Sequence, residues 1–87
     1  MNERELLDRI VANPQICGGK AIIRGRRLAV QHVLEMLAAG STEQDLLDGY
    51  AWLEPEDIKA CLLYAAMLAG DEYYEPRFVE PGDEIAA

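Results

Sequence analysis

Four cations crowd one short stretch punctuated by glycine: Lys20, Arg24, Arg26 and Arg27, within Gly18-Gly19-Lys20-Ala21-Ile22-Ile23-Arg24-Gly25-Arg26-Arg27. Basic side chains at this density suit the phosphates of a nucleic-acid backbone, an attraction that does not depend on base sequence. The plainer role for them is to cap a turn or pair with acids elsewhere in the chain. A second group lies near the C-terminus, where Tyr73, Tyr74, Arg77 and Phe78 interrupt an acidic segment. Aromatic and arginine side chains are the usual anchors of a peptide that binds a protein partner.

Catalytic and metal chemistry has little to work with. Cys17, Cys61 and His32 are three scattered candidates with no CxxC spacing, and a structural zinc site needs four ligands. The two cysteines are expected to be reduced, packed thiols. His32 has no nucleophile and acid arranged with it in sequence. Gly18-Gly19-Lys20 lacks the spaced leading glycine and the following Ser or Thr of a phosphate loop. No catalytic residue, metal, cofactor or small-molecule substrate is expected, and the chain reads as non-enzymatic.

The charge is divided along the chain. The net charge is −8 over 87 residues. Residues 1–32 hold six basic and three acidic residues, a net of +3, whereas residues 33–87 hold two and thirteen, a net of −11. Such asymmetry suggests two surfaces of opposite preference. Solubility is the simpler account of the acidic half. The N-terminus has no apolar stretch of the signal-peptide kind, and the longest uncharged apolar run, Ala60 to Ala69, is too short to span a bilayer. A cytoplasmic location and no membrane partner are expected.

The elements that must position these groups are mostly helical. Residues 2–9 predict a short helix capped by Asn2, with Leu6, Leu7 and Ile10 on one side, broken at Asn13-Pro14. Ala21–Ile23 and Leu28–Val30 predict a small hairpin, turning at Gly25. Two strands alone are not stable in water, so this hairpin must lie on the helices or pair with a second chain, and pairing with a second chain through Ile22 and Ile23 is expected. Val30, Val33, Leu34 and Leu37 follow the helical period over residues 30–39, and Gly40 ends that helix. Ser41 and Gln44 match a capping box for a second helix over about 42–48. Pro55 and the acids around it start a third, running to about Ala69. That helix is apolar nearly all round, and a single short chain has too few elements to wrap it. Leu63, Tyr64 and Met67 are therefore expected to meet a second copy in a homodimer. Tyr50 and Trp52 read as core between the last two helices. The predicted layout is one domain over residues 1–70, with a basic β segment at about 13–30 and an acidic, aromatic tail at 71–87.

The order of short motifs resembles the domain-of-unknown-function 433 family. The matching residues are Asn13-Pro14-Gln15-Ile16-Cys17-Gly18-Gly19-Lys20, Ile23-Arg24-Gly25-Arg26-Arg27-Leu28-Ala29-Val30, Leu37-Ala38-Ala39-Gly40-Ser41, Leu46-Leu47-Asp48-Gly49-Tyr50, Leu53-Glu54-Pro55-Glu56-Asp57-Ile58 and Ala60-Cys61-Leu62-Leu63-Tyr64-Ala65. The resemblance covers roughly residues 9 to 69. The chain departs from the family pattern at Ala21, Arg26 and Ala29, where a proline, a threonine and a proline are usual. The residues read as a mainly α fold with a small N-terminal β-hairpin, and the resemblance implies a homeodomain-like, helix-turn-helix-like core of three helices, usually dimeric. It also implies a type II antitoxin that neutralises a PIN-like nuclease toxin and binds its own operator DNA.

Within that expectation, Lys20, Arg24, Arg26 and Arg27 are the candidate DNA contacts. The third helix opens with Glu54, Glu56 and Asp57, whose carboxylates repel phosphate and make it a poor groove reader. Tyr73, Tyr74, Arg77 and Phe78 are the candidate partner contacts, with Arg77 placed to reach the acidic metal site of a nuclease. The alternatives are a stand-alone DNA-binding regulator and a non-catalytic dimeric adaptor. The acidic third helix counts against the first and the basic segment against the second.

Overall fold

A computed structural model describes residues 1–71 and 74–79 of the chain. Among them are four helices and a small three-stranded sheet: α1 (Glu3–Leu7), β1 (Ile10–Ala12), β2 (Ala21–Ile23), α2 (Val30–Ala38), α3 (Glu43–Gly49), α4 (Pro55–Ala69) and β3 (Arg77–Phe78). Asn2 caps α1 as its residue type predicts, its side chain accepting from the Glu5 N–H at 2.8 Å.

The sheet is where sequence and structure diverge. An N-terminal hairpin is present, but its strands are β1 and β2, antiparallel, with Ile10 opposite Ile23, Val11 opposite Ile22 and Ala12 opposite Ala21. Leu28–Val30 is not a strand. Its backbone makes one bridge, Ala29 to Ile22, and Val30 already opens α2. Ile10 was expected on the apolar side of α1, yet the chain leaves the helix before it. Three consecutive buried residues, Ile10, Val11 and Ala12, are explained by the pleat, which sends alternate side chains to opposite faces. The Ile10–Ile23 pair enters the main core with Val30, Val33, Leu46, Ile58 and Cys61. The Val11–Ile22 pair joins Ile16 in a second, smaller cluster. Ile22 and Ile23 are thus fully buried within one chain and are not a dimer contact.

The helices follow their local signals closely. Gly40, at φ +106°, ends α2. Its N–H donates to the Leu37 carbonyl and the Ser41 N–H to the Met36 carbonyl, the paired bonds of a Schellman motif. That use of Ser41 moves the cap of α3 one residue on. Thr42, not Ser41, accepts from the Asp45 N–H (3.0 Å), and Asp45, not Gln44, accepts from the Thr42 N–H (2.8 Å). Pro55 occupies the first turn of α4, where no N–H is needed.

Residues 74–79, expected to belong to a trailing tail, return to the domain. β3 pairs parallel with β1, giving the order β2-β1-β3. The Val79 N–H donates to the Ala12 carbonyl (2.7 Å), and the Val79 side chain covers the smaller cluster. The Tyr74 hydroxyl donates to the Leu7 carbonyl (2.9 Å), and its ring meets Tyr64 edge to face at 6.1 Å. Burial and the charge of Asp8 raise the Tyr74 pKa, which keeps the donating proton in place. Replacing Tyr74 by Phe removes this one bond and lowers stability by about 1 kcal/mol in urea unfolding. An unchanged midpoint would mean that the hydroxyl contributes nothing to holding the segment.

Candidate interaction surfaces

The chain's most tightly built polar cluster is internal. Asp57, at the third helical position of α4, is 0% exposed and accepts four hydrogen bonds. Its Oδ1 takes Arg9 Nη1 (2.9 Å) and Arg24 Nε (3.0 Å). Its Oδ2 takes Arg24 Nη2 and the Glu54 backbone N–H, each at 2.9 Å. Arg24 therefore grips the carboxylate through both forks of its guanidinium, the strongest geometry available to such a pair. The same Nη2 also reaches the Trp52 carbonyl at 2.9 Å. Arg9 is shared with Glu54 Oε1 at 2.6 Å. Burial alone lowers the Arg9 pKa, but the bonds to Glu54 and Asp57 outweigh it and raise the net value. Two cations and two carboxylates leave the cluster neutral.

The backbone bends to make this contact. Arg24 adopts φ +50°, a left-handed conformation costing roughly 1–2 kcal/mol for a residue with a side chain. Gly25 follows at φ +79°, so both centre residues of the Ile23–Arg26 turn are left-handed, as primed hairpin turns require.

This geometry revises the basic set. Arg24 is buried and committed to Asp57, so it is not a DNA contact; a cation beside a glycine turn reads as exposed unless its partner, 33 residues away, is known. The Arg26 guanidinium sits 4.9 Å from the centroid of the Trp52 ring, on which Arg24 also bears at 5.6 Å. Arg27 and Lys20 are exposed. The acids at the start of α4 divide likewise: Asp57 is internal, while Glu54 and Glu56 are partly exposed.

The expected partner contacts are scattered. Tyr73 lies outside the described residues. Tyr74 is turned into the fold. Arg77 and Phe78 stand out from β3, Phe78 with 70% of its surface exposed. Of the expected dimer contacts on α4, Leu63, Tyr64 and Met67 are half-buried within one chain. Tyr64 also lines a cleft of about 670 Å³ between α2 and the second half of α4. Its walls are largely apolar, with Lys20 and Glu35 as the charged residues. No local pattern of residues marks this cleft, because it forms where two stripes meet. Cys61 is buried, and burial pushes its thiol up to about 12, whereas Cys17 is exposed rather than packed. His32 is exposed on α2, 4.0 Å from Glu35.

Fold and site together define a small α-helical domain pinned to a three-stranded sheet by a buried arginine–aspartate cluster. The chain belongs to the family described as "Protein of unknown function (DUF433)", whose model matches residues 10–65. A member of that family from Anabaena variabilis, solved by crystallography, superposes with a TM-score of 0.69 at 29% identity, over 78% of this chain and 67% of that one. The uncharacterized protein y4eO of Sinorhizobium fredii is 32% identical over 56 residues, 64% of this chain. The chain spans 25% of that protein's length. Among the described residues, no helix is long and apolar enough to cross a membrane.

The cluster makes a sharp prediction. Asp57→Ala leaves the buried Arg24 guanidinium with the Trp52 carbonyl and no carboxylate, and Arg9 with Glu54 alone, and costs about 3–5 kcal/mol. Arg24→Met leaves Asp57 with Arg9 and the Glu54 N–H, and costs less. Urea unfolding of both variants checks the order; equal losses would refute Asp57 as the hub.

Proposed function

We propose that this chain is a non-catalytic, cytoplasmic antitoxin of a type II pair, which binds and neutralises a PIN-like nuclease toxin and contacts its operator DNA. The observation that carries this reading is the outward edge of β3. Phe78 is the most exposed of the described aromatic residues, and it stands beside exposed Arg77 on a two-residue edge strand. An edge strand offers unpaired backbone groups to a partner's extended segment, and an aromatic with an arginine supplies the anchors. An arginine there also suits the acidic metal site such a nuclease would carry. In this reading α2, α3 and α4 form the homeodomain-like, helix-turn-helix-like unit. DNA contact falls to Lys20, Arg26 and Arg27, since Arg24 is internal.

An affinity pull-down of the tagged chain from its native lysate, with and without nuclease treatment, tests the pairing. A small nuclease recovered in both samples, and inhibited by the purified chain, is the expected result. Recovery of DNA alone would move the assignment to a stand-alone regulator. The contact itself is tested by Arg77→Ala with Phe78→Ser, which leaves Tyr74 and Val79 in place. Loss of two anchors weakens toxin binding at least about 30-fold. Undiminished inhibition would remove β3 from the interface.

The operator arm has its own measurement. Alanine at Arg26 and Arg27 together lowers DNA affinity and flattens its dependence on salt, because fewer counterions are released. Identical salt slopes for variant and native chain would exclude these residues.

A further inference from the structure

The outer edge of β1 is covered by a segment that fits it poorly. β1 is fixed without that segment: it pairs antiparallel with β2, the Arg24 N–H donates to the Arg9 carbonyl (2.8 Å), and the Arg9 side chain is held by Asp57. Residues 74–79 lie along its other edge. Both residues of β3 turn their side chains to solvent, so β3 adds backbone pairing and little burial. Side-chain attachment comes from the flanks, from Tyr74 and from Val79, which is partly buried on Val11, Ile16 and Ile22.

The pairing also stops early. β1 and β3 are parallel with Ala12 opposite Phe78, which sets Asn13 opposite Val79. In a parallel ladder a residue donates to the neighbour before its opposite and accepts from the neighbour after it. The Val79 N–H accordingly donates to the Ala12 carbonyl (2.7 Å), but the Val79 carbonyl is left facing Pro14, which has no N–H to give. Asn13 is fully buried at this point. Its Oδ1 accepts from the Gln15 N–H (2.8 Å), while its Nδ2 has no hydrogen-bond partner among the described residues. A buried donor without an acceptor is a standing cost that a better-fitting strand can remove. The family model covers β1, Asn13 and the small cluster, but not the segment that lies on them.

We infer that the outer edge of β1 is a peptide-binding site that the chain fills with its own residues 74–79, and that an extended segment of another protein can take their place. Such a segment runs parallel to β1. It carries a branched aliphatic side chain for the seat of Val79 and presents an acceptor just after it to Asn13 Nδ2. Strand addition of this kind draws affinity from main-chain bonds and selectivity from the side-chain seats. The positions of Arg77 and Phe78 face solvent and set no requirement. The inference does not depend on the antitoxin reading. That reading uses the outer edge of β3 with Arg77 and Phe78 in place, whereas here β3 itself is displaced.

The probe is a synthetic peptide of residues 74–79 ending in a free carboxylate, which supplies the acceptor directly after the valine. Amide exchange in the isotope-labelled full chain is followed by NMR with and without it. Excess peptide should speed exchange of the chain's own Val79 amide at least about tenfold and leave the Arg24 amide, in the β1–β2 pairing, unchanged. The Asn13 side-chain amide signals should shift as their new acceptor arrives. The full-chain variant Val79→Ser, whose own cover is weakened, should bind the peptide at least about tenfold more tightly than the native chain, because less of its site is already taken. The exchange measurement uses the unaltered chain, so it stands even if that variant fails to fold. A peptide that at about 1 mM neither binds the variant nor changes Val79 exchange overturns the inference. So does equal affinity for native chain and variant, which would place the peptide elsewhere. Equal binding of a peptide carrying Val79→Asp would also overturn it, since no aliphatic seat would then be in use. A Val79→Ser variant that sediments as a dimer while the native chain stays monomeric would give the edge to a second copy and overturn the inference as stated.

Discussion

The Asp57 carboxylate is the point on which the architecture depends. It lies at the start of α4 and draws in Arg9, at the entrance to β1, and Arg24, at the exit of β2. Three parts of the chain that are distant in sequence are thereby fixed at one place. Replacing such a cluster wholesale with apolar side chains is often neutral or even stabilising, whereas removing one member is costly. The cluster is therefore better understood as specifying one arrangement than as adding net stability. A carboxylate with four donors accepts little displacement, so the turn at Arg24 and the first turn of α4 must keep their positions relative to each other. The left-handed backbone at Arg24 is part of that arrangement.

The cluster also decides what the surface can do. It withdraws one cation from the basic segment and one carboxylate from the start of α4. The residues left outside are fewer and more dispersed than a linear count suggests. Charge on a small protein is a property of the folded surface, and here two of the most conspicuous charged residues are interior.

Helices were legible because their signals are local. Asn2, Gly40 and Pro55 mark ends through their own backbone needs, and the stripe from Val30 to Leu37 fixes a face. The capping of α3 was missed by one residue because Ser41 is already engaged by the end of α2. The strands were harder. β1 is three residues long, follows a helix whose apolar side it continues, and pairs with residues nine or more positions away. Periodicity cannot distinguish so short a run from the end of a helix. Asp57 looked like an ordinary acid at a helix start. It shares a stripe with Cys61 and Tyr64, four and seven residues on, and a carboxylate on an apolar stripe was the available sign of a buried pair. Its partners could not be named from sequence, because nothing local links residue 57 to residues 9 and 24. The family resemblance was readable from motif order and is matched over residues 10–65, a span that includes Arg24 and Asp57 but not Arg9 or β3.

The sheet order β2-β1-β3 places the last-made strand beside the first. The pairing of Ala12 with Phe78 closes a loop of most of the chain, an entropic cost that weighs on when it forms more than on whether it forms. During synthesis β1 and β2 can pair early, and α4 can then bring Asp57 to its arginines, while the outer edge of β1 waits for residues 77–79. Until residues 77–79 dock, the backbone of β1 has one edge open. A nascent chain halted shortly after α4 would be held at that stage.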